Sequence, residues 1–552
     1  MKRKQQQTGR RMVRLFRLVL AIALLASLSA CSAQQEESGS SSLQEQNEGS
    51  YLIAVEDVPD TVDFQCTSIH YTVALNVFDR LVEMMAQENG EVEIQPSLAE
   101  SWEVSEDGRS YPFHLREGVS FSDGSPLTAS DVEYSFTRLL THPDSCNQDA
   151  VESILGAEAL EKGEADHLEG LKVLNDRDFV ITLEEPFEAF LACISMPGTS
   201  ILDQETTEAA GEKFGLDSAV TIGTGPFILE DWTTEGMRMK ANPKCWSGPP
   251  AAAGLDLRFL TEAEEEMMKF ERGELDILDL DELGDSAEYF IQGDIYQNNL
   301  KKVQQIGITY IALNESIEPL NDVRVRKALQ YSLNRQALLN GVYSGRGLVE
   351  NGIFCHGLKG YNPDLPEIPY DVEQAKELLQ EAGYPDGFEL TVNVKNSATQ
   401  WELTLMNLAA DMWKKVGVQA KIQVVDESEF MRARKAGELA CYAATWTADF
   451  NDPDNFIYTF YGNAQNTQFR SLCYPDKEVM KRVTLARTIR DPEERIREYQ
   501  ALEQKIVQED AAWIPLFSRQ RYYVTSDRVE GFCTAWNGSV KTNYRYMAVK
   551  QG

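Results

Sequence analysis

The sequence predicts an α/β protein built from more than one lobe, and three observations carry that expectation. Its 552 residues exceed what a single hydrophobic core supports. Hydrophobic residues make up 43% of the chain and charged residues 25%, the composition of a protein that folds around buried cores. From Asp322 onward, helices with clear start and stop signals alternate with β-prone runs, the pattern of an α/β layer.

The first fifty residues stand apart from that fold. Lys2, Arg3, Lys4, Arg10, Arg11, Arg14 and Arg17 form a basic stretch, and Leu18 to Leu28 is an apolar segment of 11 residues, too short for a stable membrane span. Leu28-Ser29-Ala30-Cys31 follows and resembles a bacterial lipobox, which makes residues 1–30 a lipoprotein signal peptide and Cys31 the lipid attachment site. An ordinary secretory signal cut nearby is the alternative. Residues 31–50 are mostly Ser, Gln, Glu and Gly, too polar to fold, and form a flexible linker whose ends lie on the order of 25 Å apart. The chain carries a net charge of −36; without residues 1–30 and their seven positive charges, 45 basic residues face 88 acidic ones, a net of −43. Such a surface repels nucleic acid and anionic lipid. Eight cysteines besides Cys31, in an exported chain, predict at least one disulfide, with the pairing left open.

From Tyr51 the elements follow in order. Tyr51–Val55 is a first strand and Val58–Asp63 a turn. Asn76 to Met85 has helical period, with Val77, Phe78, Leu81 and Val82 apolar. Asp107-Gly108 and Asp123-Gly124 are turn dipeptides of a hairpin-rich patch, after which Thr128-Ala-Ser-Asp131 starts a helix through a capping box. Gly223-Thr-Gly-Pro-Phe227 is not a phosphate loop, because Pro226 removes a donor and no Gly-Lys-Ser/Thr follows. Thr261–Glu264 reads as a second capping box, for a helix ending near Gly273 before a strand at Leu275–Leu278. A β-prone run at 306–314 precedes a helix begun by Asp322. Further helices start at Asp371, span Trp401–Val416, and start at Asp491-Pro492; strands at Leu390–Val394, Ala420–Val424, Trp513–Phe517 and Tyr522–Val524 lie among or after them.

One stretch is a candidate site. Cys441–Trp446 reads as a strand buried on both faces, and Asp452-Pro453 as a helix start, with Asp capping and Pro at the first position. Asp449 therefore sits at a strand-to-helix turn between aromatic residues, where it either holds a cation or accepts N–H bonds of its own turn. Chemistry elsewhere is not indicated. The five histidines form no His-Glu-x-x-His array, and no Gly-x-Ser-x-Gly elbow or Cys-x-x-Cys pair occurs, which argues against an exported hydrolase or a zinc knuckle.

Trp446-x-x-Asp449-x-x-Asp452-Pro453-x-x-Phe456 resembles the ligand loop of the extracytoplasmic solute-binding proteins of dipeptide, oligopeptide and nickel ABC transporters. Pro96–Trp102, Tyr111–Gly118, Val119–Asp131, Val132–Phe136 and Asp322–Leu329 resemble other motifs of that family in the same order, so the resemblance spans roughly Tyr51 to Met547. It implies a two-lobe periplasmic-binding-protein-like α/β fold with an extra subdomain inserted in the first lobe. Lobe I would comprise 51–93, the inserted subdomain 94–218, then 219–305 and a C-terminal return at 516–552; lobe II would be 306–515, with crossovers near 306–310 and 513–518. The resemblance further implies a monomeric, non-enzymatic receptor without cofactor or metal, which captures short peptides, closes around them and delivers them to ABC permease subunits. Asp449 would grip the peptide α-ammonium. Lys395, beside Asn396, stands near where dipeptide binders place a carboxylate-binding Arg, and Trp401 and Trp446 either line the cleft or belong to the core. A nickel chelate, haem or a signalling peptide is the alternative ligand for the same fold.

Overall fold

The computed structural model describes residues 51–87, 92–398, 400–539 and 544–550. The signal segment, the linker and Cys31 lie outside the described residues. Tyr51–Glu56 is central because it is apolar enough to be paired on both edges, in parallel with Gly254–Phe259 on one side and Ile277–Asp279 on the other. The sheet around it has ten strands. Its main path runs Cys441–Thr447, Gly307–Leu313, Trp513–Thr525, Ile277–Asp279, Tyr51–Glu56, Gly254–Phe259, Gly236–Ala241 and Phe227–Trp232, with Leu300–Gln304 and Gly347–Val349 also paired to Trp513–Thr525.

Two lobes share this sheet. The 13-residue strand Trp513–Thr525 pairs through Trp513–Phe517 with Gly307–Leu313, and through its later residues with Leu300–Gln304 and Ile277–Asp279. Each lobe has cores of its own. One first-lobe core gathers Leu52, Val77, Phe227, Leu255 and Leu257. The extra subdomain, around the four-stranded sheet of Ala99–Trp102, Ser110–Leu115, Asp178–Thr182 and Leu171–Val173, buries Phe113 stacked on Phe179 with ring centres 5.3 Å apart. In the second lobe Trp413 is fully buried and donates Nε1–H to the Leu329 carbonyl at 3.1 Å. Trp513 packs on Tyr310 and Phe460 at 4.1 and 4.6 Å. No helix among the described residues is long and apolar enough to cross a membrane.

Most punctuation acts as expected. Thr128 and Asp131 form the reciprocal capping box, and the side chains of Asp322, Asp371 and Asp491 accept N–H bonds from Arg324, Gln374 and Glu494. Gly223-Thr-Gly packs against the end of helix Thr72–Val77. A Cβ on Gly223 would collide with the Val77 carbonyl oxygen, which accepts the Gly225 N–H at 2.9 Å, so close backbone approach explains these glycines.

Four expectations are corrected. Asn76 to Met85 is not a helix: helix Thr72–Val77 ends there, and Val82–Ala86 pairs with Val92–Pro96, so its apolar residues serve a hairpin. The second capping box does not form, and the helix begins at Ala263 behind Glu262 with no side-chain cap bond. Strand Cys441–Thr447 is buried at Cys441, Tyr442 and Ala443 but only partly from Ala444 onward. Finally, Cys66, Cys146, Cys193, Cys245, Cys355, Cys441 and Cys473 are free thiols. Cys193, Cys355 and Cys441 lie in three different cores and Cys533 packs against a fourth, which keeps them from meeting.

Candidate functional site

Asp449 follows the partly open end of strand Cys441–Thr447. The turn after it is held by a buried polar network. Arg495 makes a bidentate pair with Asp452, Nη1 to Oδ2 and Nη2 to Oδ1 both at 2.7 Å, with the two side chains 2% and 4% exposed. Burial pushes the Asp452 carboxyl up, but the Arg495 charge and hydrogen bonds outweigh it and hold the carboxyl below its usual value. Asp452 Oδ1 also accepts the Asp454 N–H at 3.0 Å, and the helix starts one residue later than the sequence suggests, at Asp454 with Pro453 in the cap position. Asp454 in turn accepts from the Tyr499 hydroxyl at 2.9 Å and pairs with Arg487 at 3.2 Å.

Asn455 aims the carboxylate. Its Oδ1 accepts the Asp449 N–H at 3.0 Å and its Nδ2 donates to Asp449 Oδ2 at 3.1 Å. One carboxylate oxygen is thus fixed by a single amide, and the other has no partner among the described hydrogen bonds. Asp449 is exposed, and it lines a cavity of about 560 Å³. The protein mass around the cavity desolvates the carboxyl and, helped by the negative charge of Asp149, pushes its pKa up to about 6 against the opposing effects of Asn455 and Arg470. Asp149 shares the cavity and is also raised, chiefly by burial.

Both lobes wall the cavity. The second contributes Trp446 to Asp449 and Arg470; the first contributes Tyr71, Arg80, Glu83, Asn147 and Asp149, and Trp536 and Asn537 complete the wall from the segment after strand Trp513–Thr525. Asn147 ties two first-lobe loops together by donating to the carbonyls of Phe64 and Thr67 at 3.0 and 2.8 Å, while its Oδ1 accepts from the Tyr71 hydroxyl at 2.8 Å. Burial raises the Tyr71 phenol above its ordinary value and keeps it a neutral donor. The lobes also touch beside the cavity. Phe450, adjacent to Asp449, is buried in the core of the first-lobe subdomain, and the Arg487 guanidinium lies 4.2 Å from the Phe187 ring centre and 3.8 Å from that of Tyr458.

The structure brings together two of the residues the sequence singled out and leaves three apart. Trp446 and Asp449 share the cavity wall. Trp446 does this while packing edge-on to Phe460 at 5.4 Å under the Arg470 guanidinium at 4.8 Å, so it serves cavity and core together. Lys395 is ion-paired to Glu427 at 3.5 Å, and Asn396 accepts the Glu427 N–H at 3.0 Å; neither lines the cavity. Trp401 is half-buried beside Tyr343, with ring centres 6.1 Å apart, in a second-lobe core. Sequence reasoning missed Tyr71, Arg80, Asn147, Asp149 and Arg470. They come from separate segments with no shared spacing, and only the unusual polarity of Asp79-Arg80 inside an apolar run offered a signal.

A two-lobe α/β fold whose cavity is walled by both lobes and faced by a carboxylate defines the class of solute-binding proteins. The family described as bacterial extracellular solute-binding proteins, family 5 (middle), matches residues 93–468, and the chain belongs to that family. It is 32% identical over 455 residues to the dipeptide-binding protein of Escherichia coli, covering 79% of this chain and 82% of that one. It is 30% identical over 469 residues to heme-binding protein A of Haemophilus influenzae, covering 83% and 84%. Among solved structures, HbpA2 from Haemophilus parasuis superposes with a TM-score of 0.76 at 28% identity, covering 91% of this chain and 99% of that one. The chain is accordingly a transport component rather than an enzyme, the extracytoplasmic solute-binding partner of an ABC importer.

Proposed function

We propose that this protein captures short peptides in the interlobe cavity by hinge closure and delivers them to its permease, tethered to the cell membrane through lipidated Cys31. The observation that carries the peptide reading is the Asp449 carboxylate, held by Asn455 and open to the cavity. A carboxylate there offers an ammonium group a partner inside the cavity, and a cavity of about 560 Å³ lies within the range of small-ligand sites. A relative named as a dipeptide-binding protein supports the same ligand class. Closure is supported by Phe450: the residue next to Asp449 sits in the opposite lobe's core, so a ligand holding Asp449 favours the state in which Phe450 is buried. The hinge would be the two connections near 306–310 and 513–518, where consecutive strands change partners. Lobe II then spans 306–515 and the remaining segments, including the subdomain at 94–218, form lobe I.

The relative named for haem gives a second reading of the ligand. Mass spectrometry of whatever is released by denaturing protein purified without refolding decides between them. The expected result is one or more masses that fragment as short peptides; a porphyrin mass overturns the peptide reading. The anchor is tested separately, since Cys31 ends the lipobox-like segment. Cys31→Ser is expected to move the protein from membranes to the soluble fraction. Retention on membranes after a high-salt wash would count against lipidation.

A further inference from the structure

Arg487 spans the seam between the second lobe and the extra subdomain, outside the ligand cavity. It follows helix Lys477–Ala486, and its own lobe positions it: Nε lies 3.2 Å from the buried Asp454 carboxylate, and the guanidinium lies 3.8 Å from the Tyr458 ring centre. The same guanidinium lies 4.2 Å from the ring centre of Phe187, and Nη1 lies 3.8 Å from Glu152 Oε1, both on the subdomain. A second arginine, Arg490, faces Glu188 with Nε to Oε1 at 3.8 Å. Charge complementarity thus draws these two surfaces together despite the chain's net charge of −36. The contacts are unequal. Glu152, Glu188 and Arg490 are exposed, so ion pairs at this distance contribute little. The ring contact is the strong one, because the Arg487 side chain is 17% exposed and Phe187 5%. The seam is not packed like a core: a gap of about 220 Å³ remains beside Arg487 and Phe187, walled by Glu184 and Glu185 on the subdomain and by Thr484 and Thr488 on the second lobe.

Parting the lobes leaves Arg487 its contacts with Asp454 and Tyr458 and removes those with Phe187 and Glu152, so the latter two favour the closed state alone. None of these residues lines the cavity, so a ligand held there does not touch them. We infer that Arg487 and Phe187 form a clasp by which the extra subdomain holds the lobes closed, raising the affinity for every ligand by a common factor rather than choosing among ligands. This rests on the hinge-closure reading above. A clasp that shuts after the ligand has entered slows its release and leaves its entry unchanged.

The test is stopped-flow measurement of the association and dissociation rates of trialanine and Ala-Phe-Ala, read through the fluorescence of Trp446 and Trp536 in the cavity wall, with X-ray scattering of the empty and the peptide-saturated protein. Phe187→Leu removes the ring and keeps an apolar side chain in the subdomain core. It is expected to raise the dissociation rate of both peptides by a common factor of about 3 to 10, the loss of a partly buried cation–π contact, with association rates within about twofold of the parent. Phe187→Tyr, which keeps a ring, is expected to restore the parental rates. Arg487→Lys keeps a charge for Asp454 but not the planar guanidinium; it should act in the same direction as Phe187→Leu, and the double change should add little to either. Unchanged dissociation rates overturn the clasp and leave closure standing, as do factors that differ more than about threefold between the peptides, a loss confined to association, or additive losses in the double variant. A parent with the same radius of gyration empty and saturated removes closure, and the clasp with it. If neither peptide binds the parent, the peptide reading fails and scattering of the empty proteins decides: a larger radius for Phe187→Leu than for the parent supports the clasp, and equal radii overturn it. Should Phe187→Leu not fold, Arg487→Lys carries the same expectations alone.

Discussion

Asp449→Asn is expected to weaken binding of a free-amine peptide by roughly 30-fold to several-thousand-fold, the equivalent of about 2–5 kcal/mol for an ammonium left in the cavity without its partner. The substitution keeps the shape of the side chain and its neighbour Asn455, so it removes charge rather than packing. Acetylating the peptide N-terminus removes the same charge from the ligand, and the two changes should be strongly non-additive in a calorimetric cycle. The pH dependence gives an independent check. In the empty cavity burial holds the Asp449 pKa at about 6, while a bound ammonium favours the ionised form. Ligand binding must therefore expel a proton below that value, and affinity should fall as pH drops through about 6, by up to about tenfold per unit. Asp149, raised in the same direction, broadens the fall. The sign for stability is opposite to that of an ion-paired acid. A carboxyl raised on folding opposes the folded state above its folded pKa and ceases to do so as pH falls, so the empty Asp449→Asn variant should melt no lower than the parent at pH 7. A variant that binds as tightly as the parent but melts lower would make Asp449 a structural turn residue.

Arg495→Met is expected to destabilise the protein by about 3–5 kcal/mol at pH 7, because it strands the Asp452 carboxylate in a site where that side chain is 4% exposed. The Asp452 pKa is depressed by this partner, so in the parent its stabilising contribution is present above the unfolded carboxylate value, about 3.9, and is lost as pH falls below it toward the folded value. In the variant only Lys359 and the Asp454 N–H oppose burial, so the same carboxyl rises and the deficit should shrink on mild acidification. The double change Asp452→Leu with Arg495→Met should cost less than the sum of the single changes, since an apolar pair leaves no buried charge unmatched. Chemical denaturation of the three variants at pH 7 and 5 checks both statements. Additive losses that do not depend on pH would show the pair to be ordinary packing. The loop it holds carries Asp449, so weaker ligand binding should accompany the loss of stability.

What the sequence determined by itself was local and periodic. Caps at Thr128, Asp322, Asp371 and Asp491 lie within a few residues of the N–H groups they satisfy, and alternation of helices with strands gives the α/β class without reference to any distant contact. Asp449 was legible for the same reason: a strand, a carboxylate and a helix start fall within a dozen residues. Where periodicity was short it misled. Val77, Phe78, Leu81 and Val82 match a helical stripe, but pairing of Val82–Ala86 with Val92–Pro96 outweighed it. Tertiary structure alone decided which charges meet. Arg495 reaches Asp452 across 43 residues and Arg545 reaches Asp79 across 466, pairings that no spacing announces. Lys395 and Asp449 looked like two ends of one site in sequence, yet Glu427 holds the first outside the cavity while Arg80 enters the wall from the other lobe. A cavity between lobes is made by surfaces that are far apart in the chain, and its composition follows from how those lobes pack rather than from any one segment.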